Sequence, residues 1–178
     1  LPNINGLEIL DLLEKEKIHT NIIVLSGINE LILKVRKNPN VKYIISKLAG
    51  FTEILRIVNE IVSEIDNKNY ENSIEEILKS FGFNMNALGT KYLIKSILLS
   101  IKNPEYLENI ENELYSKVAI IYNVRKDKVK WNINCAIKSM WRYTTDRIST
   151  GNYFNRRNSE KPSSGDIINT MVSKLTKN

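Results

Sequence analysis

The sequence predicts a mixed fold, in which an incomplete α/β unit built on a parallel sheet precedes an all-α unit containing a helix-turn-helix. Three observations predict it. Two continuous apolar runs of strand length, NIIVLSG and VKYIIS, fall in the first 66 residues with helical segments between them, and strand character ends there. Beyond them, apolar residues recur at helical spacing. Finally, the segment from Val124 to Lys161 holds ten Lys and Arg against three acids, or +7, so the rest of the chain contributes −1 to the net +6. The expected organisation is residues 1–66 for the α/β part, a linker at 67–73 and a helical domain over 74–178.

The first part reads in order as a helix after Pro2 through Lys17, a buried strand over Asn21 to Gly27, a short helix to Asn38, a strand over Val41 to Ser46, and a helix from Phe51 to Ile65. Two parallel strands leave sheet edges unpaired and the core thin. With a start at Leu-Pro in mid-pattern, this predicts a fragment of a longer protein. The polar stretch DNKNYENS, Asp66 to Ser73, reads as the linker. Helices are then expected over Ile74 to Phe81, Ala87 to Ile101, Glu105 to about Leu114, and Asp166 to Leu175. Tyr143 to Ser164 is polar, basic and rich in Ser, Thr and Asn, and reads as an exposed loop.

The helix-turn-helix lies in LYSKVAIIYNVRKDKVKWNINCAIKSMW, Leu114 to Trp141. Val118, Ala119 and Tyr122 form a short stripe, and Asn123 stands where a left-handed residue would end the first helix. Asp127 suits the positive end of the second helix, whose Val129, Ile133, Ala136, Ile137 and Met140 share one face. Small Ala119 permits a close approach of the two helices. The opposite face carries Lys128, Lys130, Trp131, Asn134 and Lys138, combining phosphate-seeking ammonium groups with an amide able to pair bidentately with adenine. Arg125 and Lys126 add charge at the turn. The alternative for this face is an ordinary solvated surface, and for Trp131 packing against a neighbouring helix or a dimer partner. Concentration of the whole net charge here favours double-stranded DNA as the partner.

Composition narrows the alternatives. The apolar runs are too short or interrupted for a membrane span, no signal-peptide pattern is present, and the expected setting is cytoplasmic. The single cysteine, Cys135, excludes an internal disulfide and reads as a small helical residue. The only histidine, His19, is expected at the surface between a helix and a strand, which argues against a multi-His metal site or a Ser/His pair. No phosphate-cradling glycine loop or paired-Cys motif occurs, so an enzyme is not expected, and neither is a cofactor held by this chain.

Two resemblances add to this reading. LPNINGLEIL, with Ser26 closing IIVLS and Lys47 closing YIISK, resembles the C-terminal part of a bacterial response-regulator receiver. The resemblance implies that Ser26 and Lys47 are the hydroxyl and lysine that sense a phosphoryl group. The acidic pair, acceptor aspartate and Mg2+ would then belong upstream of Leu1. Lys47 is followed by Leu48 where that family usually has proline.

From about Ile74 to Leu175 the chain is similar to the effector domains of the stage 0 sporulation response regulators, on Gly82, Gly89 with Tyr92-Leu93, LYSKVA from Leu114, Asn123, Val129, AIKSMW from Ala136 and KPSSGDIINTMVSKL from Lys161. That similarity implies a sporulation-related, phosphorelay-controlled regulator that binds promoter DNA as a homodimer and contacts the RNA polymerase sigma subunit. At Lys130, Trp131 and Asn134 the family usually carries an acid and two arginines, so a changed target site is implied. The alternative is a degenerate paralogue acting as a protein-interaction module.

Overall fold

The computed structural model describes residues 5–27, 29–157 and 159–177, without the side chains of 29–31. Two compact units, Leu1–Ser63 and Glu64–Asn178, make up the chain. In the first, the order is α1 (Gly6–Lys15), β1 (Ile22–Ser26), α2 (Asn29–Val35), β2 (Val41–Ser46) and the start of α3 (Phe51–Ser80). Asn5 opens α1 with a reciprocal capping box to Glu8. The helix closes on Lys17 at φ 55°, with the Ile18 amide donating to the Leu13 carbonyl at 2.9 Å. β1 and β2 pair in parallel, with Ser26 opposite Ser46. The expected partial α/β fold is present, and His19 is exposed at the expected place.

Residues 66–73, expected as an irregular linker, are helical, and the separate helices foreseen over 51–65 and 74–81 are one helix of 30 residues. Physically, DNKNYENS contains neither Gly nor Pro. Asn, Asp and Ser cost only about 0.7 kcal/mol each or less in a helix interior, which strong helical patterns on both sides outweigh once propagation has begun.

The second unit is all-helical: the end of α3, then α4 (Leu88–Lys102), α5 (Tyr115–Ile121), α6 (Lys126–Tyr143), α7 (Arg147–Tyr153) and α8 (Ser164–Leu175). Its core draws Ile74 and Leu78 from α3, Leu93 and Ile97 from α4, Val118 from α5, Ile133 and Ile137 from α6, and Ile167, Ile168 and Met171 from α8, each wholly inaccessible to solvent. Fully burying such a side chain contributes about 1.5–3 kcal/mol. Gly89 allows α4 to lie directly on α6, since a Cβ there would stand 2.0 Å from the Asn132 carbonyl oxygen.

Two further expectations are corrected here. In place of a helix over Glu105 to Leu114 there is a 3-10 turn, Pro104–Leu107, and a π-helical turn, Ile110–Leu114, separated at Asn109. Asn109 leaves helical geometry at φ −142° and its side chain accepts from the Asn112 amide, the local competition that makes Asn a cap rather than an interior residue. The region 143–164, expected as an exposed loop, contains α7. Asp146 caps that helix by accepting from the Ser149 amide at 3.0 Å, and the Ser149 side chain, followed by that amide, holds its carboxyl below the usual range. Phe154 anchors the segment: it is fully buried and lies 5.0 Å from the Phe81 ring. The chain leaves α7 through Asn155 at φ 59°, with the Arg156 amide donating to the Gly151 carbonyl at 2.8 Å. α8 begins at Ser164, two residues before the expected Asp166, on a capping box between Ser163 and Asp166, and ends at Leu175 as expected. Asp166 also accepts from Arg156 Nε at 2.6 Å; burial raises its pKa, but Ser163 and Arg156 outweigh that and hold the carboxyl below its ordinary value.

Candidate nucleic-acid interface

α5 and α6 are joined by a turn that the backbone alone fixes. Asn123 has φ 50°, as its position predicted. The Asn123 amide donates to Ile120 O at 3.2 Å and the Val124 amide to Ala119 O at 2.9 Å, which together form a Schellman motif. Ala119 is buried between the helices, and Tyr122 packs edge-on against Tyr92 with centroids 4.8 Å apart. Asp127 lies in the first turn of α6, paired with Arg125 at 3.2 Å.

The two faces of α6 divide as the spacing requires. Val129, Ile133, Ala136, Ile137 and Met140 are the buried residues of the helix, the same five expected. Lys128, Lys130, Trp131, Asn134 and Lys138 are all exposed, and so is Arg125; Lys126 is half-buried. Trp131 is 65% exposed and makes no ring contact among the described residues, so its packing alternative is not realised within this chain. Trp131, Asn134 and Lys138 follow one another at three- and four-residue steps along a single line of the helix. Lys128 and Trp131 also wall a shallow concavity with Asn123, Val124, Arg125 and Asp127.

Two predicted contacts are already engaged. Lys130 lies on the flank of α6 and its Nζ is 2.6 Å from Glu111 Oε1, a hydrogen bond that pushes the lysine above its ordinary pKa. Lys126 Nζ donates to Asn112 Oδ1 at 3.0 Å. Glu111 and Asn112 were missed from sequence, because their reach depends on the π-helical turn. Arg142 and Cys135 were also missed: both are exposed and continue the open line, Arg142 four residues after Lys138. Helical spacing alone could have added them.

Ser26 and Lys47 are separate from this face, in the first unit. Ser26 closes β1, Lys47 follows β2, and the Lys47 amide donates to the Ser26 carbonyl at 3.0 Å. Both line one cavity of about 650 Å³, bounded also by Asn5, Leu10, Val24 and Val35. They stand at the carboxyl ends of adjacent parallel strands. Leu48 is 92% exposed, and its amide is held by the Ser46 hydroxyl at 3.1 Å.

Residues 74–175, more than half of the chain and all of α4 through α8, match the family described as sporulation initiation factor Spo0A, C terminal. The chain belongs to this family. Its second unit is therefore a sporulation-related DNA-binding effector domain of the Spo0A type, from a family of transcription factors rather than enzymes. No curated protein matches the chain. The Spo0A match stops short of Ser26 and Lys47. Among the described residues no helix is long and apolar enough to cross a membrane.

Proposed function

We propose that this chain is a sequence-specific, DNA-binding transcription regulator of the phosphorelay type, acting in the cytoplasm on sporulation-related promoters, with α6 as the helix that enters the major groove. The observation that carries this reading is the division of α6, five core residues on one side and an uncovered line of Trp131, Asn134, Lys138 and Arg142 on the other. Such a line offers cations to phosphates and an amide to a base edge. In this reading Arg125, Lys126 and Lys128 hold the backbone beside the turn, and Asn134 and Trp131 meet the bases. Ser26 and Lys47 would relay phosphorylation of a receiver to which the first unit belongs, and a homodimer on DNA and a sigma-subunit contact would follow from the family resemblance.

The test is binding of the chain to a pool of duplexes at several salt concentrations. Lys138→Ala is expected to weaken binding alike on all sequences and to reduce the slope of log K against log salt by about 1. Asn134→Ala is expected to broaden the selected sequences. No binding at low salt refutes the proposal. A second reading, an interaction module, is favoured by Ile120 and Ile121 at the end of α5, which are 74% and 46% exposed. Co-purification with an intact regulator, together with DNA affinity indifferent to Lys138 and Asn134, would support it instead.

A further inference from the structure

Lys130 differs from the other cations of α6. It is turned from the open line toward the π-helical turn, where Glu111 takes its ammonium, while the next residue of that turn, Asn112, takes Lys126. The turn is well placed to do this: Asn109 caps it at one end and the fully buried Leu114 fastens it at the other. The pair is nevertheless open to solvent, with 48% of the Lys130 side chain and 62% of Glu111 exposed, so a polyanion can reach the ammonium without any rearrangement of the core.

We infer that Glu111 is an internal stand-in for DNA phosphate, a carboxylate that occupies Lys130 in the free protein and must be displaced before the lysine can join the interface. This rests on the reading of α6 as the DNA-facing helix. An exposed ion pair is weak, so a well-placed phosphate displaces the carboxylate and a poorly placed one does not. The pair thereby lowers affinity for indiscriminate duplex more than for a site that aligns its phosphates with α6. Lys130 is a conditional contact, and Glu111 is its positioning residue.

The experiment compares the full chain with Glu111→Gln, Glu113→Gln, Lys130→Ala and the Glu111→Gln/Lys130→Ala double variant, on a random-sequence duplex of about 30 bp at about 50 mM salt. Glu113 supplies the control: it lies in the same turn, is exposed, and makes no side-chain hydrogen bond or ion pair among the described residues. Glu111→Gln is expected to tighten binding about three- to fivefold, the scale of releasing one exposed ion pair together with one negative charge. Glu113→Gln, which removes charge only, should give less than half of that gain. In the Lys130→Ala background the gain from Glu111→Gln should fall to the Glu113→Gln level. Equal gains from the two glutamines, or a gain undiminished without Lys130, would overturn the inference while leaving the DNA-facing role of α6 intact. A parent chain that does not bind duplex at all would overturn both.

Discussion

Gly89→Ala is expected to lower the melting midpoint of the second unit by roughly 10 °C or more, followed by far-UV circular dichroism. The new Cβ would stand 2.0 Å from the Asn132 carbonyl oxygen, 2.5 Å from its carbon and 3.0 Å from Ala136 Cβ. The first two atoms belong to the backbone of α6, so no rotamer change can make room. Either α4 or α6 must shift, and Tyr92, Leu93, Ile97, Val129, Ile133 and Ala136 all lie in the core those helices share. Overpacking of this kind costs about 3 kcal/mol, at the upper end of its range, because a packed interior has nowhere to pass the displacement on. DNA affinity should fall with stability, since α6 is the helix displaced. Gly165→Ala is the control: its Cβ would meet Ile110 Cδ1 at 3.6 Å, an ordinary contact, and replacing Gly with Ala in the first turn of α8 should be neutral or slightly stabilising. A midpoint for Gly89→Ala within a degree or two of the parent would show that the helices are not in the close approach described.

Phe154→Ala should cost about 3–5 kcal/mol, the usual penalty for emptying a fully buried aromatic position. Phe154 is inaccessible to solvent and packs on Phe81 at 5.0 Å, while Tyr153 lies 4.6 Å from Phe81 and 5.0 Å from Phe154, completing a cluster of three rings, and carries Lys174 over its own ring at 3.8 Å. Truncation would therefore detach α7 from both the end of α3 and α8. The expected results are a lowered urea midpoint and new protease cleavage between Tyr143 and Ser163. Asn152→Ala, on the exposed side of α7, should produce neither. If Phe154→Ala proved as stable as the parent, the 143–164 segment would behave as the free loop its composition suggests.

That segment shows where sequence reasoning stops. The buried stripe of α6 and the left-handed residue at Asn123 were legible because each is a local rule, one of periodicity and one of backbone tolerance. Asn155 obeys the same rule as Asn123, at φ 59°, but no apolar stripe precedes it, so nothing marked it as the end of a helix. α7 is only seven residues long and owes its existence to one buried ring and one capping aspartate. At 66–73 the opposite occurred: individually turn-favouring residues were outvoted by their neighbours on both sides. The two ion-pair and hydrogen-bond partners of α6, Glu111 and Asn112, were hidden by the interruption at Asn109, which changes the direction in which an otherwise ordinary acidic run points.

The Schellman turn at Asn123 has a consequence for how such a domain can diverge. The orientation of α6 is set by main-chain bonds from Asn123 and Val124, by five buried side chains and by the clearance at Gly89. Among the described residues, the side chains of Trp131, Asn134, Cys135 and Lys138 have no hydrogen bond or ion pair, and hence no duty to the scaffold. Substitutions along that line are nearly free of folding penalties, so the chemistry of this face can change while the frame beneath it stays the same. Trp131 and Asn134 can each be replaced, one at a time, without touching what holds α6 in place.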